Sequence, residues 1–182
     1  MPIFKNIHPD VVSYSLIPIG ILTAILFFYA PSTPFFYLIG ALFILLRMIV
    51  GTLDGLIAVT FNKSSPKGEM INRIAPEVCD MLLITAIVYS SPNYLILGSA
   101  VLAACWAVTF FGLIGIVAEK KIQSVGPAGQ TDRIVALAVF SLFHYFQKFF
   151  SFHIDFIYLF LIWVLVGSAL TLYFRISRNF SR

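Results

Sequence analysis

Asp54 and Asp80 sit inside apolar stretches long enough to cross a membrane, each within a patterned polar run. On insertion scales an acid at the bilayer centre costs about 3 kcal/mol, so it marks a functional site by default. In the first run Arg47, Gly51, Asp54, Gly55 and Ala58 recur at intervals of three and four, which puts them on one helical face. In the second, Glu69, Asn72/Arg73, Pro76/Glu77 and Asp80 share a face in the same way. The short loop between the two runs predicts antiparallel neighbours, with Asp54 facing the Asn72–Asp80 stripe.

Carboxylates converging in low dielectric repel unless they are protonated, paired with a cation or bridged by a metal. Arg47 and Arg73 can neutralise some of the charge. A hard divalent cation with oxygen ligands is the other solution, since Mg²⁺ keeps waters and substrate phosphates in its shell. Lys63, Lys67, Lys120 and Lys121 fall at the same membrane face and can hold an anionic head group. Two alternatives stand beside a catalytic site. Small residues and polar groups also serve as glue between helices, and Asp54, Glu77 and Asp80 could line an ion or proton pathway. The packing explanation accounts for Gly51, Gly55 and Ala58 but gives Asp54 no role.

The composition excludes a water-soluble domain. Of 182 residues, 60% are apolar and 11% charged, against about 25% charged in soluble domains. Mean hydropathy is +0.96. The chain reads as one integral membrane domain, residues 1–182, and its net charge of +4 records topology rather than nucleic-acid binding. Cys79 and Cys105 lie in apolar segments at no metal-binding or disulfide spacing and read as small apolar filler.

About 20 apolar residues span a bilayer, and six segments approach that length: Val11–Ala30, Phe35–Phe61, Gly68–Ser90, Tyr94–Val117, Asp132–Phe149 and Phe156–Phe174. Pro31–Pro34, Asn62–Lys67, Ser91–Asn93 and Gln123–Thr131 break them with loop chemistry. The fifth is the shortest and carries His144, Gln147 and Lys148. Lys5, Lys63, Lys67, Lys120, Lys121, Arg175, Arg178 and Arg182 collect on one side, with Arg73 and Arg133 at helix ends there. The opposite loops hold Lys148. The positive-inside rule therefore predicts an all-α fold of six transmembrane helices with both termini cytoplasmic. Ile3, Phe4 and Ile7 beside Lys5 fit a short interfacial helix at the N-terminus. His8, His144 and His153 read as interfacial hydrogen-bonding groups, and Asp132 as a favourable acid in the first turn of the fifth helix.

The polar run resembles the signature of the CDP-alcohol phosphatidyltransferase family, D-x-x-D-G-x-x-A-R, eight residues, then G-x-x-x-D-x-x-x-D. Asp54-Gly55-x-x-Ala58 aligns, eight residues separate Val59 from Gly68, and Asn72 and Pro76 fall at the last two acids. Val125-Gly-Pro-Ala-Gly-Gln-Thr-Asp-Arg133 looks like the loop before the fifth helix in a bacterial branch of that family, which also has Asn at the third acid, Val in place of the Arg, and a further Asp where Asp80 stands. The resemblance covers nearly the whole chain. It departs from the pattern at the acids, because Gly51, Asn72 and Pro76 occupy three of the four positions and Asp54 alone is retained.

The resemblance implies attack of an alcohol on the β-phosphoryl of a CDP-linked lipid with release of CMP, in phospholipid biosynthesis at the cytoplasmic face of a bacterial inner membrane. It implies Mg²⁺ or Mn²⁺ held by Asp54, Asn72 and Asp80, and Glu77 or Asp80 acting on the acceptor's proton. Gly55, Ala58 and Gly68 would leave room for the pyrophosphate. Lys67, Arg73, Lys120, Lys121 and Arg133 would bind substrate, the last three gripping an acceptor phosphate. The partners would be the CDP-linked lipid, its alcohol acceptor, membrane lipids and a second copy of the chain. Proline bends a helix, so Pro76 could bring Glu77 or Asp80 into the gap left by the missing acids. The alternatives are a non-catalytic relative that binds lipid or nucleotide or acts as a scaffold, and a small ion or proton transporter.

Overall fold

A computed structural model describes residues 9–61, 63, 66–117, 125–150 and 153–180. Six α-helices follow in order: α1 Pro9–Tyr29, α2 Phe35–Thr60, α3 Pro66–Ser90, α4 Leu95–Val117, α5 Gln130–Phe146 and α6 Phe156–Phe180. Short 3₁₀ turns at Pro92–Tyr94 and Gln147–Phe149 lead into α4 and out of α5. There is no strand among the described residues. Each expected apolar segment is a helix, displaced by a few residues at most ends. The expected interfacial helix lies largely outside the described residues.

Among the described residues, four segments are long and apolar enough to cross a membrane: Val11–Tyr29, Phe35–Ile57, Pro92–Ile114 and Phe156–Arg178. By the same measure α3 falls short because its first half is charged, and α5 because it has 17 residues. Large apolar side chains such as Ile49, Val59, Ile96, Phe110 and Tyr173 point outward. A protein with this exterior belongs in lipid, where each backbone polar group must be bonded internally and helices do so.

The expected pairing of α2 with α3 is corrected by the packing. α1 packs extensively on both, and α2 and α3 touch each other only over a short stretch. The main contacts run α1 to α2, α2 to α5, α5 to α6, α6 to α4, α4 to α3 and α3 back to α1. The helices thus close a ring. The physical reason lies in α1, which is apolar all round apart from small polar groups such as Ser13 and Thr23. A helix of that kind is buried on two sides as readily as on one. Gly20 lets α1 approach α3 closely: a Cβ there would stand 2.6 Å from Cys79 Sγ and 2.7 Å from Cys79 Cβ. Gly20→Val is therefore expected to lower stability by about 1–3 kcal/mol, the usual cost of overpacking. Thermal unfolding in detergent measures this, and Cys79→Ala should recover only part of the loss because the Cys79 Cβ remains too close.

Where α5 begins depends on the chain just before it. Val125–Gly129 lies against α6: Ala128 N donates to Thr171 Oγ1 at 3.1 Å, and Arg175 Nε donates to the Val125 carbonyl at 3.2 Å. Arg175 Nη1 also reaches the Val108 carbonyl on α4 at 2.5 Å. Ala128 is fully buried. Non-helical backbone at this depth is tolerated because protein surrounds it.

Candidate functional site

The ring's interior is where the ionisable residues meet. On α2 and α3, Arg47 and Asp80 form an ion pair, with side-chain exposures of 8% and 0%. Arg47 Nη2 also donates to the Pro76 carbonyl at 2.8 Å. One turn away, Arg133 of α5 pairs with Glu77 Oε2 at 3.0 Å, and Thr109 Oγ1 of α4 lies 3.2 Å from the same oxygen. Both pairs link helices that are not main neighbours in the ring, α2 with α3 and α3 with α5.

Asp54 is buried but stands apart. Its Oδ2 accepts a 2.7 Å hydrogen bond from Ser13 of α1, and its Oδ1 accepts from Gly55 N at 2.5 Å. Seven residues separate it from Arg47 on α2, about 10 Å of helical rise. Since Arg47 is the group that pairs with Asp80, the two aspartates lie at different depths. The expectation that Asp54 faces the Asp80 stripe is corrected on this point, because α1 comes between and supplies the partner.

Arg133 is also placed differently from a phosphate grip at the membrane surface. It is 1% exposed and sits inside the ring, because the Val125–Gly129 segment carries the start of α5 down to the level of Glu77. The side chains of Ala58, Lys67, Asn72 and Arg73, the surroundings of Gly68, and residues 120 and 121 lie outside the described residues. Gly55 is half-buried beside Asp54.

A cavity of about 250 Å³ opens between these helices, and its walls include Arg47, Gly51, Pro76, Asp80, Gln130 and Thr131. Two of those residues, Gly51 and Pro76, stand where the resembled signature has carboxylates. Glu77 is not among the lining residues. The backbone end of α5 forms one wall. Its cap, Gly129, has no side chain to offer the first-turn N–H groups, while Gly129 N donates to Asp132 Oδ2 at 3.1 Å. Asp132 thus fastens the turn as well as favouring the helix dipole.

The described donor set does not fit a divalent cation. Asp80 already carries a guanidinium, Glu77 carries another, and Asp54 is bonded to Ser13 about a turn and a half or more away. Among the described residues no three His, Cys, Asp or Glu side chains come together. A second positive charge beside Arg47 would be repelled where a metal would have to sit.

Arg47 neutralises a carboxylate of the cluster as expected from the sequence, and the carboxylate is that of Asp80. A second polar cluster was not foreseen. Tyr94 Oη donates to Asp155 Oδ2 at 2.9 Å, Asp155 Oδ1 accepts from Ile157 N and Tyr158 N at 3.1 and 3.0 Å, and the His144 ring lies 4.6 Å from that of Tyr37. Asp155 therefore caps α6 and ties it to α4. The signal available in the sequence was an acid immediately before an apolar helix.

Compared with known protein families and with curated proteins, the chain matches none.

Proposed function

We propose that this chain is a bacterial inner-membrane protein of the CDP-alcohol phosphatidyltransferase type, with six transmembrane helices and both termini cytoplasmic. It would move a phosphatidyl group from a CDP-linked lipid to an alcohol. The observation that carries the reading is the cavity itself: Gly51 and Pro76, at two acid positions of the resembled signature, line it together with Asp80. The short apolar length of α5 and the charged half of α3 are compatible with spanning, since Asp80 and Arg133 are buried and Glu77 is paired with Arg133.

The reaction joins the acceptor oxygen to the β-phosphorus, breaks that phosphorus's bond to the bridging oxygen, and releases CMP. Asp80 is the group placed to take the acceptor's proton, with Arg47 beside it to offset charge on the phosphoryl oxygens. Glu77, held by Arg133 and Thr109 outside the cavity wall, positions Arg133 instead. The test is CMP release by purified protein given CDP-diacylglycerol and, in turn, glycerol phosphate, inositol phosphate and serine. CMP is expected with one acceptor, and Asp80→Asn should reduce the rate at least 100-fold, about the contribution of a lost general base.

A second reading is favoured by the arginines on Asp80 and Glu77. An acid already neutralised in the resting fold suits a non-catalytic relative that binds lipid or nucleotide. Saturable binding of CDP-diacylglycerol without CMP release from any of these acceptors would select that reading.

A further inference from the structure

We infer that His144, Gln147 and Asp155 form a proton-operated latch between the end of α5 and the start of α6. Nδ1 of His144 faces two groups of opposite character. Gln147 Nε2 lies 3.4 Å from it, and Asp155 Oδ1 lies 3.8 Å away. The Gln147 amide is oriented from its other side, because its Oε1 accepts from Ile154 N at 2.9 Å. A backbone N–H can only donate, so the amide oxygen points to it and the NH₂ group points to the imidazole. Nδ1 is therefore the acceptor, and the ring is neutral with its proton on Nε2.

A proton taken from water reverses that choice of partner. It lands on Nδ1, which can then no longer accept from Gln147 and becomes a charged donor. The acceptor within reach is Asp155 Oδ1, and a charge-assisted bond of about 2.8 Å draws the two residues together by about 1 Å. Asp155 already caps α6 through Ile157 N and Tyr158 N and accepts from the Tyr94 hydroxyl. Protonation thus replaces a neutral contact at the end of α5 with an ion pair to the cap of α6. Water reaches both partners, whose side chains are 20% and 43% exposed. Of the other groups nearby, Tyr37 of α2 lies against the ring at 4.6 Å, and Tyr94 acts through Asp155. Lys148 folds over the Tyr145 ring, 3.8 Å from its centre, and His153 is exposed. The half of α3 at this end, Met81–Ser90, carries no charged residue. Under the proposed topology this end faces away from the cytoplasm, so the latch reads the pH outside.

The latch needs no substrate, so it stands or fails apart from the transferase reading. The experiment follows the ring nitrogens of ¹⁵N-histidine-labelled full chain in neutral detergent by NMR, from about pH 8 to about pH 5, the range in which histidine acts as a switch. His144→Gln identifies the signals of His144 among those of the three histidines. At the alkaline end His144 should carry its proton on Nε2, and acidification should add one on Nδ1. Two variants should then move its midpoint in opposite directions. Asp155→Asn removes the counter-charge but keeps a residue that can cap α6, and should weaken proton binding at His144 at least about threefold. Gln147→Met removes the donor that favours the neutral ring, and should strengthen proton binding by about the same factor. A histidine titrating at the protein surface without these contacts would respond to neither. Unfolding measurements give the second readout: the loss caused by Asp155→Asn should depend on the presence of His144 only below the midpoint. An Nδ1–H tautomer at the alkaline end, no titration of His144 in this range, or a midpoint unmoved by either variant would overturn the inference.

Discussion

Asp80→Ala is expected to destabilise the protein by about 3–5 kcal/mol, because it leaves the Arg47 guanidinium buried without a counter-charge. The Pro76 carbonyl would still accept one of its N–H groups but cannot balance the charge. Arg47→Met should cost a similar amount by stranding Asp80, which is wholly buried. Removing both charges is a different matter. The double variant Arg47→Met, Asp80→Ala should recover much of the loss, since desolvating two ions offsets much of their attraction. Denaturation of the two single variants and the double variant in one detergent gives the coupling energy directly. Additive losses would show that the pair does not hold α2 to α3.

The second large effect is expected at Gly126. Its φ of +119° lies in a region that residues with a Cβ rarely adopt. A Cβ there would also stand 2.5 Å from both Thr171 Cγ2 and Thr171 Oγ1, and 2.7 Å from Thr171 Cα. Backbone strain and overpacking each cost about 1–3 kcal/mol, so Gly126→Ala should lower stability by about 2 kcal/mol or more. Thr171→Ala in the same chain should not restore it, because the strain and the contact with the Thr171 backbone remain. The loss should be accompanied by weaker binding in the cavity, since this segment sets the depth at which α5 starts.

Much of the helical layout was legible because its breaks carry unambiguous chemistry. Pro31–Pro34 and Ser91–Asn93 end one apolar run and start the next, and no side-chain contact is needed to see it. The neighbours of each helix were not legible in the same way. α1 has no distinct polar stripe to say which side faces protein, and the short loop after α2 pointed to direct α2–α3 packing. What overrode that expectation is the fit of Gly20 against Cys79, a contact between residues distant in sequence. The depth of Arg133 was hidden for a similar reason. The Gly/Pro-rich run before α5 announces a loop, but only Thr171 and Arg175, some forty to fifty residues later, draw that loop inward.

For the site, the residue types were visible and their partners were not. Asp54 and Asp80 stood out because acids are rare in apolar segments, and the spacing put Arg47 on the face of Asp54. Choosing between Asp54 and Asp80 as its partner requires the register of α2 against α3. In a straight antiparallel pair Arg47 and Asp54 would both meet the second stripe; with α1 inserted between the helices, Arg47 has the length to reach across and Asp54 does not. The side chain's three methylenes and Nε give it that reach.

The ring order has a consequence for how the protein is assembled. Helices 1 and 2, 3 and 4, and 5 and 6 are neighbours both in sequence and in space, so under the six-span topology proposed above the chain can enter the bilayer as three hairpins. Arg47 belongs to the first hairpin and Asp80 to the second; Glu77 belongs to the second and Arg133 to the third. Neither ion pair can form within a single hairpin. The first two hairpins therefore each carry a charge that only the next one neutralises, and a chain that stalls after two hairpins keeps Glu77 without Arg133. Incomplete molecules are thus marked by exposed charge inside the membrane, a feature that drives docking in the order of synthesis and distinguishes finished protein from unfinished.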